Sequence, residues 1–305
     1  MKKLLPIFVA AILFISACQL GNSGPETIAI PEANATLTAI APGQSDENAK
    51  AGSTRVSPAD GMIEVFVPAG VFTMGGVDPR APENEKPAHQ VSMPGFWIDK
   101  VEVTNAMYAL CVKSGACRLP QEFHSDSRDK YYGDSQFSDY PVIYVTWLQA
   151  KTYCEWAGRR LPTEAEWERA ARGDDTRVYP WGDQIPDASR ANFSNLIGDT
   201  ANVGNSSAGI SPFGVLDMSG NVAEWVNDIY SDTYYTSSLS TNPQGPGGNS
   251  NTRVVRGGTY QDAEVDIRVS KRSSVLGSDP NALIDSTEWL GTFSPKIGFR
   301  CSSGN

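Results

Sequence analysis

The sequence predicts an α+β domain with few regular elements and long ordered loops, and three observations carry that expectation. Residues 61–75 alternate in polarity like two short strands around a Pro-Ala-Gly turn. Three segments with helix start and stop signals are crowded between Thr104 and Gly173. Beyond Gly173 the chain is dominated by Gly, Pro, Asn, Asp and Ser, broken by short apolar pieces such as Val215-Leu216 and Arg253-Val254-Val255-Arg256. Helices and strands do not alternate, so a doubly wound parallel sheet is not expected.

The elements follow in order. Lys2 and Lys3 precede an apolar run over 4–15 that is too short to span a bilayer comfortably and reads as a secretory targeting segment. It ends in Ile15-Ser16-Ala17-Cys18, which resembles the bacterial lipobox, where cleavage leaves Cys18 as the lipidated first residue. An ordinary signal peptide cut nearby is the alternative. Because one acyl chain binds a membrane only marginally, a multiply acylated Cys18 is what would hold the protein at the surface. Residues 1–18 are thus a lipoprotein signal segment, and the expected location is extracytoplasmic, on a lipid anchor. Residues 19–58 carry no aromatic side chain and no sustained apolar period, the composition of a disordered linker. Such a tether of about 40 residues has a root-mean-square reach of roughly 35 Å.

Residues 59–305 form the folded domain, with all seven Trp of the chain. The first helix is expected over 104–112, ending by Gly115. The second covers 147–157 behind Thr146 and stops at Gly158, a residue type favoured just past a helix end. The third has Thr163 and Glu166 at capping-box spacing, Trp167, Ala170 and Ala171 on one face, and Gly173 at its end.

Without the segment before Cys18 the chain has 23 basic against 35 acidic side chains, a net of −12. That balance, with no basic tract, argues against nucleic-acid partners and leaves the lipid as the expected membrane contact. Four cysteines remain besides Cys18: Cys111, Cys117, Cys154 and Cys301. An even number in an exported chain reads as disulfides. Cys111 and Cys117 enclose a short loop that could close on itself, and pairing Cys154 with Cys301 would staple the middle of the domain to its C-terminal end. Neither CxxC spacing nor a neighbouring histidine favours a redox or metal role.

Three blocks carry the strongest signal: Arg160-Leu-Pro-Thr-Glu-Ala-Glu-Trp-Glu168, Asp217-Met-Ser-Gly-Asn-Val-Ala-Glu-Trp225 and Arg256-Gly-Gly-Thr-Tyr260. Together they resemble the formylglycine-generating enzyme (sulfatase-modifying factor) family, over about residues 65–301 and in the family's order. The resemblance implies a fold related to C-type lectins, a Cys154–Cys301 bridge, and oxidation of a client sulfatase's cysteine. It also implies two structural calcium sites, one from Asn192, Asp199 and the carbonyls of Phe193 and Ala201, the other from Asn221, Glu224 and the Ser219 carbonyl. Oxygen-only ligands suit a hard cation. The competing reading is that Asn, Asp and Gly make turns there and Glu224 caps a short helix.

Catalytic members of the family place two cysteines after the Gly-Gly-Ser/Thr-Tyr element, whose thiolates bind copper(I). Here Asp262 and Ile267 occupy those positions, so copper is not expected. Trp225, Thr259 and Tyr260 still match the family's groove, and with Asp262 they define the expected cleft for a peptide, protein or glycan ligand. The leading expectation is a non-catalytic binding or scaffold module; the alternative is an oxygen-dependent oxidase of the family using other ligands. Asp262, Glu264 and Asp266 share a parity that would put three carboxylates on one strand face, most simply a solvated acidic edge. Arg256, Arg268 and Arg272 read as structural ion-pair partners. Iron-dependent relatives hold their metal with histidines from an additional helical domain; this chain has only His89 and His124, and His89 reads as a packed loop residue.

Overall fold

The computed structural model describes residues 49–277 and 291–304. The targeting segment, Cys18 and most of the expected linker lie outside the described residues. In chain order the regular elements are β1 (Thr54–Val56), β2 (Ile63–Val67), β3 (Gly70–Met74), β4 (His89–Met93), β5 (Phe96–Asp99), α1 (Asn105–Ser114), α2 (Trp147–Trp156), α3 (Glu164–Arg172), β6 (Ala223–Ile229), β7 (Thr252–Arg256), β8 (Arg272–Leu276), β9 (Ile297–Phe299) and β10 (Ser302–Gly304). Helices are few and loops long, the α+β architecture that the sequence predicts.

β1 falls inside the stretch expected as linker. Thr54-Arg55-Val56 has no apolar period of its own and is ordered by antiparallel pairing with β2, Thr54 opposite Val65. The two strands expected around Pro68-Ala69 form as β2 and β3 but join different sheets. β2 lies in an antiparallel sheet of order β1-β2-β5-β10, and β3 pairs with β4 alone. A third sheet, of order β8-β7-β6-β9, is antiparallel except where β9 runs parallel to β6.

All three helices form where the start and stop signals put them. The Thr104 hydroxyl accepts from Met107 N at 3.2 Å, and Gly115 ends α1 in the left-handed region at φ 83°. α2 and α3 both carry complete capping boxes, Thr146 with Gln149 and Thr163 with Glu166. α2 packs with Trp225, Phe299 and Leu161 in one core cluster. Trp167, Ala170 and Ala171 of α3 lie in a second, with Val65, Ile98, Val226 and Val254 from two different sheets.

α3 is buried on every side, not on one face only: all nine residues are inaccessible, including three Glu and two Arg. Burying charge is costly unless each group is paired and hydrogen-bonded, and here partners come from distant strands. Arg272 holds Glu164 by two bonds of 2.8 Å. Glu168 accepts from Arg172 at 2.9 Å, from Arg256 at 2.5 Å and from the Gly75 amide at 2.7 Å. Arg268 pairs with Glu85 at 2.6 Å. Arg256, Arg268 and Arg272 are thus structural ion-pair partners, as the sequence suggests.

Two disulfides close the domain, Cys111–Cys117 and Cys154–Cys301, and every cysteine among the described residues is in one of them. They accord with an oxidising, extracytoplasmic compartment. No helix among the described residues is long and apolar enough to cross a membrane.

Candidate functional site

The site is built by the turn that follows β7. Gly257 and Gly258 take φ of 92° and 71°, and a Cβ on Gly258 would stand 2.5 Å from the Asp266 carbonyl oxygen. Only glycine lets the chain double back so tightly there. Thr259 N then donates to Asp262 Oδ2 at 2.8 Å, and Ser194 N donates to the Asp262 carbonyl at 2.8 Å. Residues 264–266 form a single 3-10 turn instead of a strand. Asp262, Glu264 and Asp266 therefore share no strand face; Glu264 meets Arg80 at 3.2 Å and Asp266 meets Lys271 at 2.7 Å.

Over this turn and the β8-β7-β6-β9 sheet lies a cavity of about 210 Å³. Its apolar floor is Ala223, Val255, Val275 and Ile297, one from each strand, and its polar wall includes Thr259, Asp262, Lys271 and Lys296. Of the four residues expected at the cleft, Thr259 and Asp262 line this cavity and Trp225 and Tyr260 do not. Trp225 shares a sheet face with Val255, yet it is fully covered and its indole N–H donates to Val145 O at 3.0 Å. Tyr260 is buried between loops: its N–H bonds Asn221 O, its carbonyl accepts from Asn195 N, and its hydroxyl donates to Asp126 at 2.5 Å. Burial and the Asp126 carboxylate together push that phenol well above its usual range.

Ile267, at the second of the two expected cysteine positions, is fully buried against Tyr179, Ala191 and Phe193. Neither histidine lines the cleft. His89 sits on β4, not in a loop, with its ring 5.1 Å from Tyr235; His124 rests its ring 5.1 Å from Tyr144.

Of the residues expected to hold calcium, Asn192, Asp199, Ala201 and Asn221 come together, while the Asp199 and Glu224 carboxylates are committed elsewhere. Asp199 accepts from Ser125 Oγ at 2.6 Å and from Ser127 N and Oγ at 2.9 and 2.7 Å, beside Arg128 at 3.2 Å. Burial raises this carboxyl, but those hydroxyls and amides outweigh it and hold it below the usual carboxylate range. Glu224 is on β6, so it caps no helix. It takes Arg300 Nε and Nη2 at 2.6 and 2.7 Å and Trp167 Nε1 at 2.8 Å, which leaves that carboxylate unsuited to a cation. Ser219 is buried, its hydroxyl donating to Ile267 O at 2.7 Å.

What remains is a set of neutral oxygens. The Asn192 amide faces the Asp199 carbonyl at 2.8 Å and Asn221 Oδ1 at 3.3 Å, while its own Oδ1 is buried without a partner. Asn221 Nδ2 in turn reaches Glu102 Oε1 at 2.8 Å and Ala201 O at 3.4 Å. The Phe193 carbonyl instead accepts from Leu196 N. Burial, then the nearby Asp217 carboxylate, raises Glu102 far above the ordinary value, and its Oε2 is also unpartnered. Among the described residues no group of three or more His, Cys, Asp or Glu is arranged to hold a metal ion.

Residues 48–302 match the family profile of the sulfatase-modifying factor enzyme 1-like domain. The formylglycine-generating enzyme of Streptomyces coelicolor is 32% identical over 292 residues, spanning 79% of this chain and 88% of that protein. The serine/threonine-protein kinase pkn1 of Chlamydia caviae is 34% identical over 253 residues; the match takes in 79% of this chain but only 38% of that longer protein. Among solved structures, PvdO from Pseudomonas aeruginosa superimposes with a TM-score of 0.69 at 26% identity, over 84% of this chain and 99% of that one.

Proposed function

The chain belongs to the sulfatase-modifying factor family, and from that premise we propose that it is a non-catalytic member, a ligand-binding module carried outside the cytoplasm. The observation that carries this reading is chemical. A copper(I) dithiolate needs two thiolates within reach of one metal, and the two positions after Tyr260 hold Asp262 and Ile267. The described cysteines offer no replacement, since each is bonded to another cysteine. A shared fold does not carry an activity once its reacting groups are gone, whereas the cleft beside Thr259 and Asp262 persists.

The test is to incubate the full chain with copper(I), reductant, oxygen and a peptide bearing the cysteine motif of a sulfatase, and to follow its mass. The Streptomyces coelicolor relative serves as positive control. An unchanged peptide beside an active control supports the reading; a mass corresponding to formylglycine refutes it.

Two supporting features belong to the same proposal. The neutral oxygens of Asn192, Asp199, Asn221 and Ala201 suit a structural calcium ion once the Asn192 amide turns its unpartnered oxygen toward them. A ligand that binds only the folded state raises the melting temperature, so chelator lowers it if the ion is bound; no change dismisses the ion. Cys18 carries the lipid that holds the protein at a membrane. Cys18→Ser then moves the protein from the membrane fraction to the soluble one, and retention in the membrane argues against the anchor.

A further inference from the structure

We infer that the cleft beside Asp262 binds a zwitterion, an α-amino acid with a small apolar side chain, its carboxylate at Lys296 and its ammonium at Asp262. The inference rests on the ligand-binding role proposed for that cleft and names the class of ligand.

Lys296 and Asp262 both line the cavity, yet they form no ion pair with each other at a 4.0 Å limit. Among the described residues Lys296 Nζ takes part in no ion pair or hydrogen bond. Asp262 is fixed through Oδ2 by the Thr259 amide at 2.8 Å, and among the described residues nothing bonds its Oδ1. Lys271, the remaining charge on the wall, is neutralised by Asp266 at 2.7 Å. A cleft with one open cation and one open anion is complementary to a ligand carrying both charges; a simple anion or cation would meet a like charge in the same cleft.

The other groups agree with this polarity. Ser294 Oγ accepts from the Lys296 amide at 3.2 Å, so its O–H is left to donate to a carboxylate held at the same end. The floor of Ala223, Val255, Val275 and Ile297 offers a side chain only apolar contact. The volume of about 210 Å³ is below the range of roughly 300–1,000 Å³ typical for drug-sized ligands. It suits one amino acid better than a folded partner.

The test is titration calorimetry on the full chain with L-valine and its two single-charge analogues, isovalerate and isobutylamine. Valine is expected to bind about ten- to a hundred-fold more tightly than either, the worth of one charged hydrogen-bonded contact. Lys296→Met should erase the advantage of valine over isobutylamine, and Asp262→Asn its advantage over isovalerate. Asparagine keeps the acceptor for Thr259 N, and a thermal melt of both variants verifies that the fold is intact. Isovalerate binding as tightly as valine, or variants that bind valine like the native chain, overturns the proposal. If none of the three probes binds and the sulfatase peptide is not converted, the zwitterion site is wrong and the non-catalytic reading stands. Conversion of the peptide overturns both.

Discussion

Removing the Glu168 carboxylate should cost a large share of the domain's stability, because two buried guanidinium groups depend on it. Glu168, Arg172 and Arg256 are each at most 1% exposed at the side chain. In Glu168→Ala, Arg172 keeps the Gly75 and Arg177 carbonyls and Arg256 keeps those of Val269 and Ser270 and a longer pair with Glu164 at 3.3 Å, but both lose their nearest carboxylate. Breaking a buried pair by deleting one partner costs about 3–5 kcal/mol, against a total stability of roughly 5–15 kcal/mol for a domain. The control is Glu155→Ala on α2, whose pair with Lys151 is 56% and 36% exposed and is worth about 0–1 kcal/mol. Urea unfolding followed by tryptophan fluorescence reads both variants. The loss should also depend on pH with a definite sign. Burial raises the Glu168 carboxyl, but Arg172 and Arg256 bring it below its ordinary value. Its contribution is therefore present above the unfolded value and lost as the pH falls. A Glu168→Ala loss under about 1 kcal/mol, no larger than that of an exposed pair, would refute the claim that α3 is held by buried charge.

Three further outcomes are expected. Thr163→Ala removes one half of a capping box and should cost about 1 kcal/mol in the same urea assay; an unchanged midpoint would show the cap to be dispensable. Asp228 is fully buried, and that burial, with the Glu164 carboxylate beside it, raises its pKa to about 8. The folded state thus holds a proton that the unfolded state has released, and stability declines as the pH rises toward 8. Asp228→Asn should flatten this decline, by on the order of 1 kcal/mol per pH unit, and melting curves from pH 5 to 9 measure it. The Cys154–Cys301 bridge closes a separation of 147 residues and the Cys111–Cys117 bridge one of 6. Replacing each pair with serine should cost about 5 and about 2 kcal/mol by loop-closure entropy, and equal losses would count against that account.

What the sequence made legible was local. Thr104, Thr146 and Thr163 each act on an amide three residues ahead, so the helix starts could be read from a few adjacent letters. Thr259 and Asp262 came from the family resemblance and not from any local pattern, and the turn at Gly257 and Gly258 was not foreseen. Contacts set by topology were not. Arg256 meets Glu168 across 88 residues and Arg272 meets Glu164 across 108, so nothing in the third helical segment alone shows why its charged residues are buried. β6 was passed over because Glu224 and Asp228 interrupt its apolar pattern; both are buried through partners supplied from elsewhere. Trp225 matched a groove motif but is drawn into the core by the helix packed over its strand. Lys296 and Ser294 reach the cleft only because β9 lies beside β6, a parallel pairing that no local pattern announces.

The last strands have a consequence for how the protein is made. Within eight residues β9 completes one sheet, Arg300 grips Glu224 and the carbonyls of Asp99 and Leu216, Cys301 bonds Cys154, and β10 completes the other sheet. The β10 pairing with β5 and the Arg300 bond to Asp99 O reach back about 200 residues, and long-range pairing of that kind is slow to nucleate. A chain halted before Ile297 would lack an edge strand of both four-stranded sheets and the counter-ion of Glu224 at once. Native structure is therefore deferred until the segment from Ile297 to Gly304 has been made, and a product that lacks it stays open to proteolysis.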